Sequence, residues 1–273
     1  MTDIPVVPAE LDCLRVQVGN VGSSDFYTLY IPTRLNAELF FDFYEKNEAD
    51  CLPLLYEKGD RVLDSGAGIG YITRLISKFA DFVLGVEAMG NSLAYAKLNT
   101  GGCKNVTLLE GALGLSSGLV EFHMRQLSYA SSLIDNEHGA HDPILQSVMV
   151  EGLDANDLIR AYDINCLHLD LEGSEIELLE GLDLSRIQKV TWESHQYIYG
   201  KPGTARIVAA LLRNGFIPLL ENVPYISVDG ADTFIMAWAR PDIVARKFEQ
   251  FGGFTHRTIH FLDMGIDMIP RKT

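Results

Sequence analysis

Residues 170–180 read DLEGSEIELLE and place five acids in eleven positions: Asp170, Glu172, Glu175, Glu177 and Glu180. They follow Cys166-Leu167-His168-Leu169, an apolar run that reads as a buried strand. Carboxylates at a strand's end can cage a cation, act as a general base with its helpers, or open a helix. A second stretch, TWESHQYIYG, ends another apolar run and adds Glu193, His195, Tyr197 and Tyr199. Imidazole titrates near neutrality, so His195 is a candidate base, and equally a histidine of an exposed loop. Asp170 and Glu193 could jointly hold a divalent cation. Two acids alone do not make a hard-cation site, however, so no metal ligand is assigned. His168 shares a strand face with Asp170 and reads as a packed, hydrogen-bonded core histidine. Tyr197 and Tyr199 could line an acceptor pocket or cap the sheet. His123, His138 and His141 lie on the segment between the third and fourth core strands, at spacings that match no metal motif.

A third stretch, RVLDSGAGIGYITRLI, ends a strand in Asp64 and opens a helix through Gly66, Gly68 and Gly70. Glycines at that junction let the chain turn sharply and let a ligand approach the helix start, although a tight connection alone would also use them. The dinucleotide fingerprint GxGxxG is not met, because Tyr71 stands where its third glycine belongs. The next strand ends in Glu87, about twenty residues beyond the loop, where an acid can accept from both ribose hydroxyls. Glu110-Gly111-Ala112 then offers a small-residue platform for an adenine ring. Asp64 suits ammonium and sulfonium charges better than phosphate. The combination specifies an adenosine ligand without a pyrophosphate, S-adenosylmethionine.

The elements that must carry these residues follow one rhythm. From Arg61 short apolar strands alternate with amphipathic helices: RVLD, then 69–79; FVLGVE, then 92–99; VTLLE; CLHLDL, then 175–180; KVTWE, then 205–213. Such alternation predicts an α/β fold with a mostly parallel sheet and helices on both faces. LVEFHM and SVMVE are further strands without a helix between them. YISV and TFIMAWA flank DGAD and predict an antiparallel C-terminal hairpin. Ahead of the core, LRVQV and FYTLYI predict a hairpin and 35–47 a helix.

The whole chain has 273 residues, nearly half of them apolar, enough for one large core. Lys and Arg number 22 against 37 Asp and Glu, a net charge of −15. That charge disfavours nucleic-acid and anionic-membrane partners. No run of about 18 apolar residues exists and the start lacks a signal-peptide pattern, so the expected location is cytoplasmic. Cys13, Cys51, Cys103 and Cys166 are scattered without a CxxC pair, as expected of reduced thiols.

In this order, VLDSGAGIGYIT, GVEAMGNSLAYAKLN, EGALGLSSGLVEF, VEGLDANDLI and LHLDLEGSEIELLEGL resemble the FkbM family of methyltransferases over roughly residues 60–240. The resemblance implies a Rossmann-like class I methyltransferase with a seven-stranded sheet. It also implies S-adenosylmethionine as cofactor, S-adenosylhomocysteine as product, and a hydroxyl acceptor on a small molecule, sugar or other natural product. By position it places Asp64, Ser65, Gly66, Gly68, Glu87, Ala88, Gly111, Ala112 and Asp170 at the cofactor. Asp170, Glu172 and Glu175 fall on the family's D-x-E-G-x-E signature, and Ser131-Ser132-Leu133 looks like its serine motif. With the residues after the strands, this gives Asp170, Glu172 and His195 as catalytic candidates, and Ser131, Glu193 and Tyr197 against the acceptor. The chain departs from the family at Gly68, often Asn, and at His168, often Lys. The implied organisation is a hairpin and helical cap over 1–55, the methyltransferase core over 56–240, and a helix and tail over 241–273. The cap could cover the pocket or form a homodimer contact.

Within the acidic run, Ser174 and Glu177 match an S-x-x-E capping box, which assigns Glu177 to the helix start. Glu180 falls on the exposed side before Gly181. Glu175 suits either the helix dipole or the family signature. Asp170 and Glu172 are left as the acids of a site. Asn222-Val223-Pro224-Tyr225 superficially resembles the tetrapeptide of amine-methylating enzymes but comes too late in the chain.

Overall fold

The structure is a computed structural model and describes residues 11–18, 27–32, 46–125, 131–134, 143–222 and 233–250. The central sheet runs β11(Ile217–Asn222), β12(Thr233–Ala239), β10(Lys189–His195), β9(Cys166–Leu169), β3(Arg61–Ser65), β4(Phe82–Glu87), β5(Val106–Glu110). Only β12 runs antiparallel to its neighbours. This is the expected seven-stranded, mostly parallel sheet. Strand order reverses between β9 and β3, so a ligand belongs beyond the carboxyl ends of these two strands.

The period of two along each strand divides the core. Leu63, Leu84, Leu167 and Trp192 join one buried cluster with helices α4(Ala155–Ala161), α5(Glu175–Gly181) and α6(Gln196–Arg213). Val62, Val83 and Cys166 join another with α1(Lys46–Leu55) and α2(Tyr71–Ile76). Helix α2 starts later than the apolar spacing over 69–79 predicts, because three left-handed glycines precede it, and it ends at Ile76, short of Phe79. Helix α6 is longer than expected and breaks at Gly200, whose φ is 65°. Helix α7 is Pro241–Gln250.

Strands β1(Cys13–Val18) and β2(Tyr27–Pro32) form the expected N-terminal hairpin. Asn99, fully buried on α3(Gly90–Thr100), bolts it to the glycine loop: its amide donates to Tyr30 O and Ile69 O, and its oxygen accepts from Tyr30 N. The helix expected over 35–47 lies largely outside the described residues, as do YISV, His138 and His141. The strand that pairs with β12 is Ile217–Asn222.

LVEFHM and SVMVE belong to a separate three-stranded sheet, β6(Ala112–Gly114), β8(Ile144–Asp154), β7(Gly118–Arg125). Among the described residues no helix is long and apolar enough to cross a membrane.

At the amino ends of the strands, away from the ligand side, Lys189 is 3% exposed and pairs with Asp60 at 2.7 Å and Glu57 at 3.0 Å. Arg246 grips Glu57 from the surface, and Lys247 reaches it at 3.2 Å. Arg246, with help from Lys189, holds the Glu57 carboxyl well below the usual range despite its partial burial. Lys189→Ala leaves Asp60 buried without its cation, and should lower the unfolding free energy by roughly 3–5 kcal/mol. Urea unfolding measures this; a loss below about 1 kcal/mol would show that the pair stabilises no more than an exposed one.

Candidate active site

The strand ends converge on one cleft. Gly66, Gly68 and Gly70 all take left-handed backbone, with φ of 81°, 53° and 79°. A Cβ on Gly66 would stand 1.8 Å from Asp170 O, so the glycine loop and the acidic loop touch backbone to backbone. Ser65, Gly66 and Gly68 line the cleft, followed by Glu87 and Ala88 after β4, Gly111 and Ala112 after β5, and Asp170 and Glu172 after β9. Ser131 closes it from the segment beyond β7. The cleft encloses about 1000 Å³ including the solvent-open space at its mouth.

Of the residues expected at the cofactor, only Asp64 does not line the cleft. It is 2% exposed beneath the loop, accepts from Thr73 Oγ1 at 2.5 Å, and burial raises its carboxyl pKa. His168, also buried, is the expected core histidine, with Nδ1 3.1 Å from Tyr56 Oη. Glu87 accepts from Gly68 N at 2.8 Å and from Met89 N at 2.7 Å, which fixes its carboxylate at the cleft wall. Burial raises its pKa to about 7, against these two hydrogen bonds.

The acidic run sorts differently from its local pattern. The expected capping box does not form: Ser174 has helical backbone, makes no cap hydrogen bond, and leaves Oγ without a partner. Glu177 is exposed, and Glu180 pairs with Arg206 on the surface. The acid that organises the turn is Glu175, which is fully buried. Its Oε1 accepts from Leu171 N at 2.9 Å and its Oε2 from Gly173 N at 2.9 Å. It thereby holds a loop in which Glu172 sits at φ 50°, a conformation non-glycine residues rarely adopt.

Glu175 also reaches across to β10, where its Oε1 lies 2.8 Å from His195 Nδ1. His195 is not an exposed loop histidine: it ends β10, is 1% exposed, and lies behind the cleft lining. Its Nε2 points among acids, 3.3 Å from Asp170 Oδ1, 3.5 Å from Glu172 Oε2 and 3.9 Å from Glu193 Oε2. None of these contacts has hydrogen-bond geometry, and both Nε2 and Asp170 Oδ1 are buried without a partner. Burial by itself would lower the imidazole pKa, but the charges of Glu172 and Glu175 carry it well above the usual histidine value.

Tyr197 donates to Glu172 at 2.7 Å and stands behind the lining, and Glu193 likewise reaches the site through His195. Tyr199 accepts from His195 N at 2.9 Å. Sequence reasoning left Glu175 between two roles and read Ser174 as a helix cap, whereas Ser174 lines the cleft. The D-x-E-G-x-E spacing contained the signal for Glu175; its partnership with a histidine twenty positions away was not there to read.

Buried polar atoms are ordinarily satisfied. Ser65 Oγ, Asp170 Oδ1, Ser174 Oγ and His195 Nε2 are all unsatisfied around one cleft. The arrangement offers a carboxylate for a ribose at Glu87, small residues for a flat ring at Gly111 and Ala112, and a negatively charged floor.

A family model described as the methyltransferase FkbM domain matches residues 64–218. No curated protein matches the chain. Similar solved structures include precorrin-6y C5,15-methyltransferase from Geobacter metallireducens (12% identity, 72% of this chain and 87% of that one, TM-score 0.42). Ribosomal protein L11 methylase from Lactobacillus delbrueckii subsp. bulgaricus is similar at 14% identity, covering 72% and 79%, with a TM-score of 0.40. Fibrillarin from Aeropyrum pernix, with natively bound S-adenosyl-L-methionine, is similar at 10% identity, covering 67% and 67%, with a TM-score of 0.40. These likenesses are too distant to bear on the acceptor.

Proposed function

The chain belongs to the FkbM methyltransferase family and uses S-adenosylmethionine, and on that premise we propose that it methylates a hydroxyl group of a small molecule, sugar or other natural product. When bound, the cofactor supplies a methyl group already activated by a sulfonium. The protein's task is to hold cofactor and acceptor in line, and to relieve the acceptor of its proton.

The residues present fit the cofactor. Glu87 has lone pairs left to accept from ribose hydroxyls, Ser65 Oγ lacks a partner, and Ala112 leaves room for a ring. Glu87, Asp170 and Glu172 give the cleft the sign that attracts a sulfonium.

The observation that carries the hydroxyl reading is the pair of unsatisfied buried atoms Asp170 Oδ1 and His195 Nε2, with Glu172 beside them. An alcohol is a poor nucleophile until its proton can leave, and Asp170, which lines the cleft, is the group that would meet it. His195 faces that carboxylate from behind, and Glu172 lines the cleft beside it. The −15 net charge supports a small molecule or glycan over a nucleic acid as acceptor.

The test is turnover with S-adenosylmethionine against a panel of hydroxyl acceptors, with the product methyl located by NMR. Methyl found on a hydroxyl oxygen supports the reading; methyl found only on nitrogen or as a carboxyl ester overturns it. Cofactor binding alone is separable. Ribose hydroxyls need the ionised Glu87, which in the free protein titrates at about 7. Affinity should therefore fall about tenfold per pH unit below 7 and level off above 8. In Glu87→Gln the profile should be flat and the affinity lower throughout. Calorimetry across pH 5.5–8.5 measures both; a wild-type profile as flat as the variant's would remove Glu87 from the ribose.

A further inference from the structure

We propose that Asp170, Glu193 and His195 hold a divalent cation at the floor of the cleft. One carboxylate oxygen from each acid and a ring nitrogen of the histidine all lie within 4.8 Å of one another. Donors at about 2.1 Å from an ion, in octahedral or tetrahedral directions, stand about 3.0–3.4 Å apart. His195 Nε2 is 3.3 Å from Asp170 Oδ1 and 3.9 Å from Glu193 Oε2, so small side-chain rotations complete the set. Glu193 and His195 alternate onto the same side of β10, and Asp170 meets them from the end of β9.

A second observation points to a ligand independently of the acids. The His195 side chain is 1% exposed, and its Nε2 has no partner while aimed into the cluster. On its other side Nδ1 meets the buried Glu175 at 2.8 Å. A carboxylate behind one ring nitrogen, with the other left open, is the arrangement that orients metal-binding histidines and raises their basicity. Among the described residues no Lys or Arg pairs with Asp170, Glu172 or Glu175.

Two carboxylates with one imidazole, and no thiolate, suit Mn²⁺ better than Mg²⁺, which prefers oxygen alone. Because Asp170 also lines the cleft, the ion would face it with positions open for the acceptor's oxygen. This deepens the hydroxyl reading and rests on it for its role: bound to an ion, the hydroxyl loses its proton far more readily.

The test titrates Mn²⁺ into chelator-stripped protein by calorimetry, with S-adenosylmethionine binding as the check on folding. One saturable site per chain is expected, with Glu193→Gln and His195→Ala each weakening it at least tenfold. The exposed Glu121→Gln should bind as wild type does. No saturable binding, or equal binding in Glu193→Gln, overturns the cation. Hydroxyl methylation that continues at full rate after exhaustive chelation also overturns it, and leaves the proposed reaction standing. Mn²⁺ binding at this site without hydroxyl turnover would keep the cation and overturn the reaction instead.

Discussion

Gly66→Ala should abolish measurable binding of S-adenosylmethionine, a loss of at least 100-fold or about 2.7 kcal/mol. The added Cβ would meet Asp170 O at 1.8 Å and Asp170 C at 2.9 Å, and both are backbone atoms that cannot swing aside. Asp170 cannot retreat either, because its N–H donates to Ser65 O at 2.9 Å and the strands β3 and β9 are paired immediately before it. The left-handed φ of 81° adds strain for any L side chain. Relief therefore comes only by moving the glycine loop or the acidic loop, and both line the cleft. Gly59→Ala separates strain from collision. Gly59 has φ 94° with nothing within 4 Å of the added carbon, so that variant should lose a little stability and keep its affinity. Calorimetry on the two variants, with thermal melts alongside, measures the difference. Gly66→Ala binding within about threefold of wild type would mean that the two loops are not wedged together.

Much of this fold is legible because its central strands are buried on both faces. RVLDS, FVLGVE, VTLLE and CLHL are apolar without alternation, and glycine punctuates the first turn. Legibility fails where a different force decides the backbone. Apolar residues keep helical spacing through Ile76 and Phe79, yet α2 ends at Ile76, since spacing reports which face is buried and not how far the hydrogen-bond ladder runs. Gly200 and Pro202 hide the start of α6, because breakers read as a loop even where the chain resumes helical turns beyond a kink. Strands β7 and β8 leave Leu119 and Met149 exposed at 70% and 59%, so the alternation that would assign their sheet is blurred. In the site, Asp170 and Glu172 could be picked out as strand-end acids. Ser174 could not, because its capping pattern was a local rule that lost to a tertiary need. Glu175 took the loop N–H groups, and the turn it imposes holds Ser174 in helical backbone. His195 was legible as a residue and not as a burial: nothing in TWESHQYIYG says that a buried carboxylate from another element waits beside it.

That partnership predicts the second large effect. His195→Ala should lower turnover by about 10²–10⁴-fold while leaving cofactor affinity within about threefold, because His195 meets the cleft through Asp170 and Glu172 and does not itself line it. Glu175→Gln should fall in the same range for a different reason. Glu175 Oε1 accepts from Leu171 N and meets His195 Nδ1, and Oε2 accepts from Gly173 N. An amide in either orientation sets an NH₂ against a backbone N–H, so one end of the turn must open. The left-handed backbone of Glu172 then loses the carboxylate that enforces it, and Glu172 and the imidazole both drift from Asp170. If Glu175 acts by positioning His195 and the acidic loop, the two substitutions remove one unit. The double variant should then be no slower than the slower single variant, instead of showing the product of the two losses. Single-turnover rates on all four proteins at saturating cofactor decide the matter. Multiplying losses would make Glu175 and His195 independent contributors. Full activity in Glu175→Gln would make its hydrogen bonds to the turn dispensable to the reaction.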